Sequence, residues 1–341
     1  MNAPEKILAL QFKYFGDAVL MTPALRALRE HLPKSEIHLL VPEEMAPLFQ
    51  HLPWLNRVWP MPRKRGRAGI GKSLPVIRAL RAEKFDRSVD FAGNDRGAIL
   101  SFLAGAKDRL GWDQSGGFFG RKFCYNRRVA LDASRPHESA RLVQLLSGWH
   151  VPPPASLESE IRADPALAGA ARAILPEERA VICHVASSQL KKEWPLAHWA
   201  KLHRLAAGNG LRLVFTTAQG ERESALMRGL KQCIPDAVIL PLLEELPLFL
   251  AVLNRAKVFV SGDTGPLHFA AALGVPTISL FGPTSPARWA PVGARHKFLT
   301  GTPCACDGHS AVCTGLAHCL AAITPEQVFQ DLKDVWKSGR S

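Results

Sequence analysis

The sequence predicts an α/β fold of two Rossmann-like domains that face each other across a cleft. Three observations lead there. Apolar, strand-like runs alternate with amphipathic helical stretches along most of the chain, which implies parallel sheets covered by helices. The alternation breaks at Val151-Pro152-Pro153-Pro154-Ala155, where consecutive prolines cannot continue a helix and form a semi-rigid connector. It then restarts over a second stretch of similar length. At 341 residues, 47% hydrophobic and 21% charged, the chain is globular in composition and long enough for two ordinary domains.

In the first half, residues 7–11, 36–41, 57–61 and 88–91 read as strands, and 18–31, 74–84 and 97–104 as helices. In the second, 180–184, 212–216, 237–240, 257–260 and 277–281 read as strands, the last two closing the series. Residues 197–209, 221–232 and 246–255 read as helices. Domains are expected over 1–155 and 156–322, followed by a terminal segment, 323–341, expected to pack back on the first domain. Thr324 is placed to cap its helix, with Pro325 at the first helical position.

No run of 18 or more apolar residues is present, and the N-terminus runs straight into a strand without the apolar core of a signal peptide; a cytoplasmic location is expected. The net charge is +13, concentrated in Arg57, Arg63, Lys64, Arg65, Arg67, Lys72, Arg78, Arg81, Lys84 and Arg87, against Glu83 and Asp86. Such a patch attracts nucleic acid, acidic lipid or a phosphorylated substrate, or it is simply a solvated surface. Few aromatics flank it and no nucleic-acid recognition motif appears, so a nucleic-acid partner is not expected.

Three segments carry candidate chemistry, each at the carboxyl end of a predicted strand, where ligands of such sheets bind. Ser261-Gly262-Asp263-Thr264-Gly265-Pro266-Leu267-His268 places a carboxylate, a hydroxyl and free backbone N–H groups at a helix start, which suits a phosphate or diphosphate. Its alternative is a purely structural turn. His184–Pro195 carries Ser187, Ser188, Lys191 and Lys192, hydroxyls and ammonium groups fit for a diphosphate cradle, or a plain polar loop. Gln11–Ala18 carries Gly16 and Asp17; the carboxylate suits a general base, or an N-cap.

Gly66-Arg67-Ala68-Gly69-Ile70-Gly71-Lys72-Ser73 spells a phosphate-binding P-loop, but Pro62-Arg63-Lys64-Arg65 precedes it instead of the apolar strand that the mechanism requires, so it reads as a basic loop. Cys304, Cys306, Cys313 and Cys319, with His309 and His318 between them, approach metal-site density and leave zinc or iron open beside a set of reduced thiols. Cys183, inside an apolar run, reads as inert core.

Together these segments resemble the bacterial lipopolysaccharide heptosyltransferases, which transfer heptose from ADP-heptose to the inner core. The resemblance is carried by Ile7–Leu10, Gly16–Leu25, Lys192-Glu193-Trp194-Pro195, Ser261–His268 and Leu280–Thr284, with Arg109-Leu110-Gly111 and the tail before Ile323-Thr324-Pro325. It implies a GT-B fold and inverting, metal-independent transfer, with the first domain taking the acceptor and the second the nucleotide sugar. It further implies Asp17 as general base and Lys192 as the group that stabilises the departing diphosphate. Ser187, Ser188, Asp263, Thr264, Gly265 and His268 then belong to the donor site, and Glu221, by a looser match, to the ribose. Arg63, Lys64 and Arg65 would meet an anionic lipid A–core acceptor at the inner-membrane surface. Another nucleotide sugar, a protein acceptor, or a basic nucleic-acid-binding protein are the alternatives.

Overall fold

The structure of the protein, a computed structural model, describes residues 4–62, 70–132, 134–177, 180–302 and 319–338. The chain divides into two compact units, Met1–Arg162 and Ala163–Ser341. The division falls beyond the proline run because the residues after it are tied to the first unit. Arg26 donates to the carbonyls of Ser156 (2.6 Å) and Glu158 (3.2 Å), and Glu160 N–H donates to Thr22 Oγ1 (3.0 Å).

The first unit holds a six-stranded sheet of β1 (Lys6–Leu10), β2 (Glu36–Pro42), β3 (Arg57–Met61), β4 (Arg87–Asp90), β5 (Asp108–Asp113) and β6 (Arg127–Ala130). The second holds β7 (Val181–His184), β8 (Leu213–Thr216), β9 (Val238–Ile239), β10 (Val258–Gly262), β11 (Thr277–Phe281) and β12 (His296–Thr300). The spatial orders are β3-β2-β1-β4-β5-β6 and β12-β11-β10-β7-β8-β9. Renumbered within its own unit, the second order is the first, and every pairing is parallel. This is the doubly wound Rossmann order, in which the order of strand addition reverses between the first and fourth strands while all strands stay parallel. The switch points are therefore β1/β4 and β7/β10.

The central strands β1, β2, β7, β8, β10 and β11 are buried almost throughout, as continuous apolar runs in covered parallel sheets should be. The strands without a sequence signal are β5, β6 and β12. β6 and β12 lie at sheet edges and are half exposed, and β12 means that the series does not close at β11. The single helix expected over 18–31 is two, Phe15–Leu20 and Thr22–His31, broken at Met21 with Pro23 in the first turn of the second.

The C-terminal helix Pro325–Ser338 begins with the expected cap. Gln327 N–H donates to Thr324 Oγ1 (3.3 Å) and Thr324 N–H to Gln327 Oε1 (2.8 Å), a reciprocal capping box. Its apolar face, expected on the first domain, is instead buried in the second unit, where Val328, Phe329, Leu332 and Val335 share a core with Trp199 and Ile278. The Cys183 thiol is fully buried in β7, and burial pushes its pKa up, consistent with an inert core residue.

Candidate active site

In the second unit, the two switch-point loops are locked together. Register pairs Ser261 at the end of β10 with His184 at the end of β7. A Cβ on Gly262 would lie 2.7 Å from the Lys192 carbonyl, so glycine is what lets the loops approach this closely. Lys192 Nζ donates to Asp263 Oδ2 (2.9 Å), which also accepts from Thr284 Oγ1 (2.8 Å) after β11. Asp263 Oδ1 lies 3.9 Å from Nε2 of the buried His268. Asp263 is thus held from three sides and in turn orients the ammonium of Lys192.

Each residue of the Lys192–Pro195 run has a separate task. Glu193 Oε1 accepts from Ser187 N–H (3.2 Å) and from Arg222 (2.6 Å), whose guanidinium also binds the Ser187 carbonyl. That fixes the loop's shape. Trp194 is buried, donates to the Ile323 carbonyl (3.0 Å) and packs edge-on to Trp199 with centroids 4.9 Å apart. Pro195 starts the helix Leu196–Ala207 as its N-cap residue.

At this edge, polar atoms are buried without protein partners: His184 Nδ1, Ser187 Oγ, Gln189 Oε1, Lys191 Nζ, Thr217 Oγ1 and Thr264 Oγ1. All follow or end strands β7, β8 and β10. Groups of this kind each cost about 1–3 kcal/mol when left unsatisfied, so their concentration at a switch point marks a place built for a polar ligand. Thr264 is the N-cap of the helix Gly265–Ala272 but its side chain makes no cap hydrogen bond, so the first-turn N–H groups also face that edge without a side-chain acceptor. Beside it, a groove of about 650 Å³ runs between the ends of β8 and β9 and the helix Glu221–Cys233, lined by Thr217, Met227, Ile239, Leu240 and Leu242 among others.

In the first unit the corresponding edge carries acids. Asp17 is 6% exposed and lies inside the helix Phe15–Leu20, whose N-cap is Tyr14. It is therefore not a cap. Burial pushes its pKa up; Lys13, with Nζ at 3.9 Å, opposes this, and Glu138 adds to it. Lys13 Nζ is also 3.7 Å from the buried Glu138, which Arg141 binds at 2.5 Å. Across the switch point, Asp90 ends β4. It is fully buried, accepts from Tyr125 Oη (2.6 Å) and Ala92 N–H (3.0 Å), and burial raises its pKa to about 6.

A model of glycosyltransferase family 9 (heptosyltransferase) matches residues 74–311. The chain belongs to that family. It is a glycosyltransferase. Lipopolysaccharide heptosyltransferase 2 of Escherichia coli strain K12 is 26% identical over 343 residues, covering 96% of this chain and 97% of its own. Solved structures share the fold, these two among them. One is a family 9 glycosyl transferase from Veillonella parvula DSM 2008 (TM-score 0.83, 20% identity, 99% of both chains). The other is the E. coli ADP-heptose lps heptosyltransferase II (TM-score 0.78, 22% identity, 98% of this chain and 99% of that one).

In this glycosyltransferase, Lys192, Asp263, His268 and the start of the helix at Gly265 come together, with Ser187 and Thr264 beside them. Ser188 is exposed, and so is Glu221, the first residue of the helix after β8. Arg63, Lys64, Arg65, Cys304, Cys306 and Cys313 lie outside the described residues. Cys319 is buried, its sulfur close to Gly282, and no group of three metal-ligating side chains occurs among the described residues. Arg222 and Asp90 had no signal in the sequence, and Thr284 stood out only as the end of the Leu280–Thr284 segment that carries the resemblance. The position of Glu193 inside the Lys-Glu-Trp-Pro run was the available clue to a loop latch.

Proposed function

We propose that this glycosyltransferase moves a heptose from ADP-heptose to the inner core of lipopolysaccharide, with inversion at the sugar's anomeric carbon. The observation that carries this is the anion-ready edge of the second unit: a Lys192–Asp263 pair, an uncapped helix start and unpartnered hydroxyls at one switch point. Family membership and the named relatives supply the sugar and the acceptor.

The donor's diphosphate would lie against Lys192, Ser187, Thr264 and the Gly265 N–H. The groove beside Leu240 and Leu242 has the size and mainly apolar lining for a nucleobase, and Glu221, the first residue of the helix that forms one wall, would serve the ribose hydroxyls. The acceptor hydroxyl gives its proton to Asp17 as its oxygen bonds to the anomeric carbon. The bond from that carbon to the diphosphate breaks, and ADP leaves with its new charge met by the ammonium and backbone dipoles. Each such preorganised donor contributes about 3–4 kcal/mol. A buried carboxylate with a raised pKa suits the base, because proton transfer is most efficient when base pKa approaches working pH. The acceptor is an anionic lipid A–core at the cytoplasmic side of the inner membrane, with Arg63, Lys64 and Arg65 among the cations that attract it.

The test is incubation with ADP-heptose and heptose-deficient lipopolysaccharide, read by mass spectrometry of the acceptor. Addition of one heptose with release of ADP is expected. Transfer from other nucleotide sugars at an equal or higher rate would overturn the donor assignment.

A further inference from the structure

In the first unit, five large apolar side chains stand exposed in one region: Phe119 at 91%, Phe123 at 64%, Phe102 at 52%, Ile99 at 43% and Phe118 at 38%. They form one surface. Ile99 and Phe102 are three apart on the helix Asp95–Ala104 and so share a face. Phe118 N–H donates to Asp95 Oδ1 on that helix (3.2 Å), and Cys124 and Tyr125 pack on its Ala98.

The apolar groups are interleaved with cations. Arg109 stands over the Phe102 ring at 5.5 Å and Lys122 over Phe123 at 5.2 Å. Residues 95–128 contain seven Lys or Arg against three Asp. Lys122 is exposed and in no ion pair among the described residues. A surface for a second protein copy is depleted of charge at its centre. Aromatic rings set among basic side chains instead match the headgroup layer of a bilayer, where the rings reach the acyl boundary and the cations meet anionic lipid.

We propose that this surface seats the protein on an anionic phospholipid bilayer. Its position gives the seating a purpose, which rests on the lipid-borne acceptor proposed above. The aromatic segment leaves the carboxyl end of β5, on the sheet edge that carries Asp17. Arg121 ties it there, donating to the Gly93 carbonyl after β4 (2.5 Å) and to Gln114 Oε1 (3.2 Å). A seated protein would present that edge to a lipid-anchored acceptor.

The experiment is sedimentation of the full chain with vesicles of phosphatidylethanolamine and phosphatidylglycerol, and with neutral phosphatidylcholine vesicles. The wild type should bind the anionic vesicles and not the neutral ones. The variant Phe119→Ser/Phe123→Ser should bind about tenfold or more weakly, and Lys122→Glu by a smaller factor. Both should keep the wild-type unfolding midpoint and transfer to a soluble, lipid-free core oligosaccharide. Equal binding by wild type and double variant, or equal binding to neutral vesicles, would overturn the proposal. So would a wild-type dimer that the double variant disperses, with no vesicle binding by either; the surface would then belong to a second copy. Vesicle binding by a wild type that transfers no heptose would leave this surface standing and remove the functional reading instead.

Discussion

The two sheets share one strand order, yet their switch points carry opposite chemistry. At β7/β10 the loops supply a lysine, hydroxyls and uncapped backbone N–H groups, and their carboxylates are already engaged, Asp263 by Lys192 and Thr284 and Glu193 by Arg222. At β1/β4 the loops supply buried carboxylates, Asp17 and Asp90, whose pKa values burial raises. The scaffold decides where a ligand edge lies; the few residues after the strands decide whether it receives negative charge or a proton. Fold similarity therefore locates a site, and its chemistry has to be read from the residues.

The strongest test of this contrast is to silence each edge separately. Asp17→Asn keeps the shape but removes the proton acceptor, so transfer should fall about 10²–10⁴-fold while ADP still raises the unfolding midpoint as in the wild type. The pH profile sharpens it. A base works only when deprotonated, so kcat/KM should fall as pH drops through a pKa above the ordinary carboxylate value. In Lys13→Met, where an opposing positive charge is gone, that limb should move to higher pH. A limb that stays in place would remove Asp17 from the role. Lys192→Met should reduce turnover about 10²–10³-fold and, unlike Asp17→Asn, should weaken ADP binding as well. Equal ADP-induced stabilisation in both variants would erase the division of labour.

Much of this was legible in the sequence wherever a local pattern carries the information. Apolar runs gave the central strands, because a strand covered on both faces must be apolar throughout. Thr324 and Pro325 announced their helix, and the Ser261–His268 turn and the His184–Pro195 loop stood out by composition. What stayed hidden depends on partners distant in the chain. Nothing near Asp90 foretells Tyr125, nor does anything near Asp263 foretell Thr284, since β-sheet neighbours come from separate segments. The edge strand His296–Thr300 is half exposed and lacks a buried strand's signature. The position of the last helix could not be read either, because its apolar stripe fits any partner.

A smaller effect tests how the donor edge is shaped. Gly262→Ala would bring a methyl group to 2.7 Å from the Lys192 carbonyl. A backbone carbonyl cannot swing aside as a flexible side chain would, so the loop must move. Destabilisation of about 1–3 kcal/mol is expected in urea unfolding, together with weaker ADP binding and an unchanged acid limb in the rate profile. Unaltered ADP affinity would mean that the close approach of the two loops is dispensable.

The last effect lies at the acidic edge and appears only as a slope. Folding raises the Asp90 pKa from 3.8 to about 6. Between those values the folded protein holds a proton that the unfolded chain has released, so this group makes stability fall as pH rises through the window. The loss is complete above pH 6 and amounts to about 3 kcal/mol. Asp90→Asn removes the titration. It adds an offset of its own, since one of the donors from Tyr125 and Ala92 must now meet an amide N–H₂, but that offset does not vary with pH. The stability of the wild type relative to the variant should therefore decline between pH 4 and pH 7. Two parallel unfolding curves across that range would show that Asp90 is ionised in the fold as readily as in water, and that burial is not what sets the chemistry of this edge.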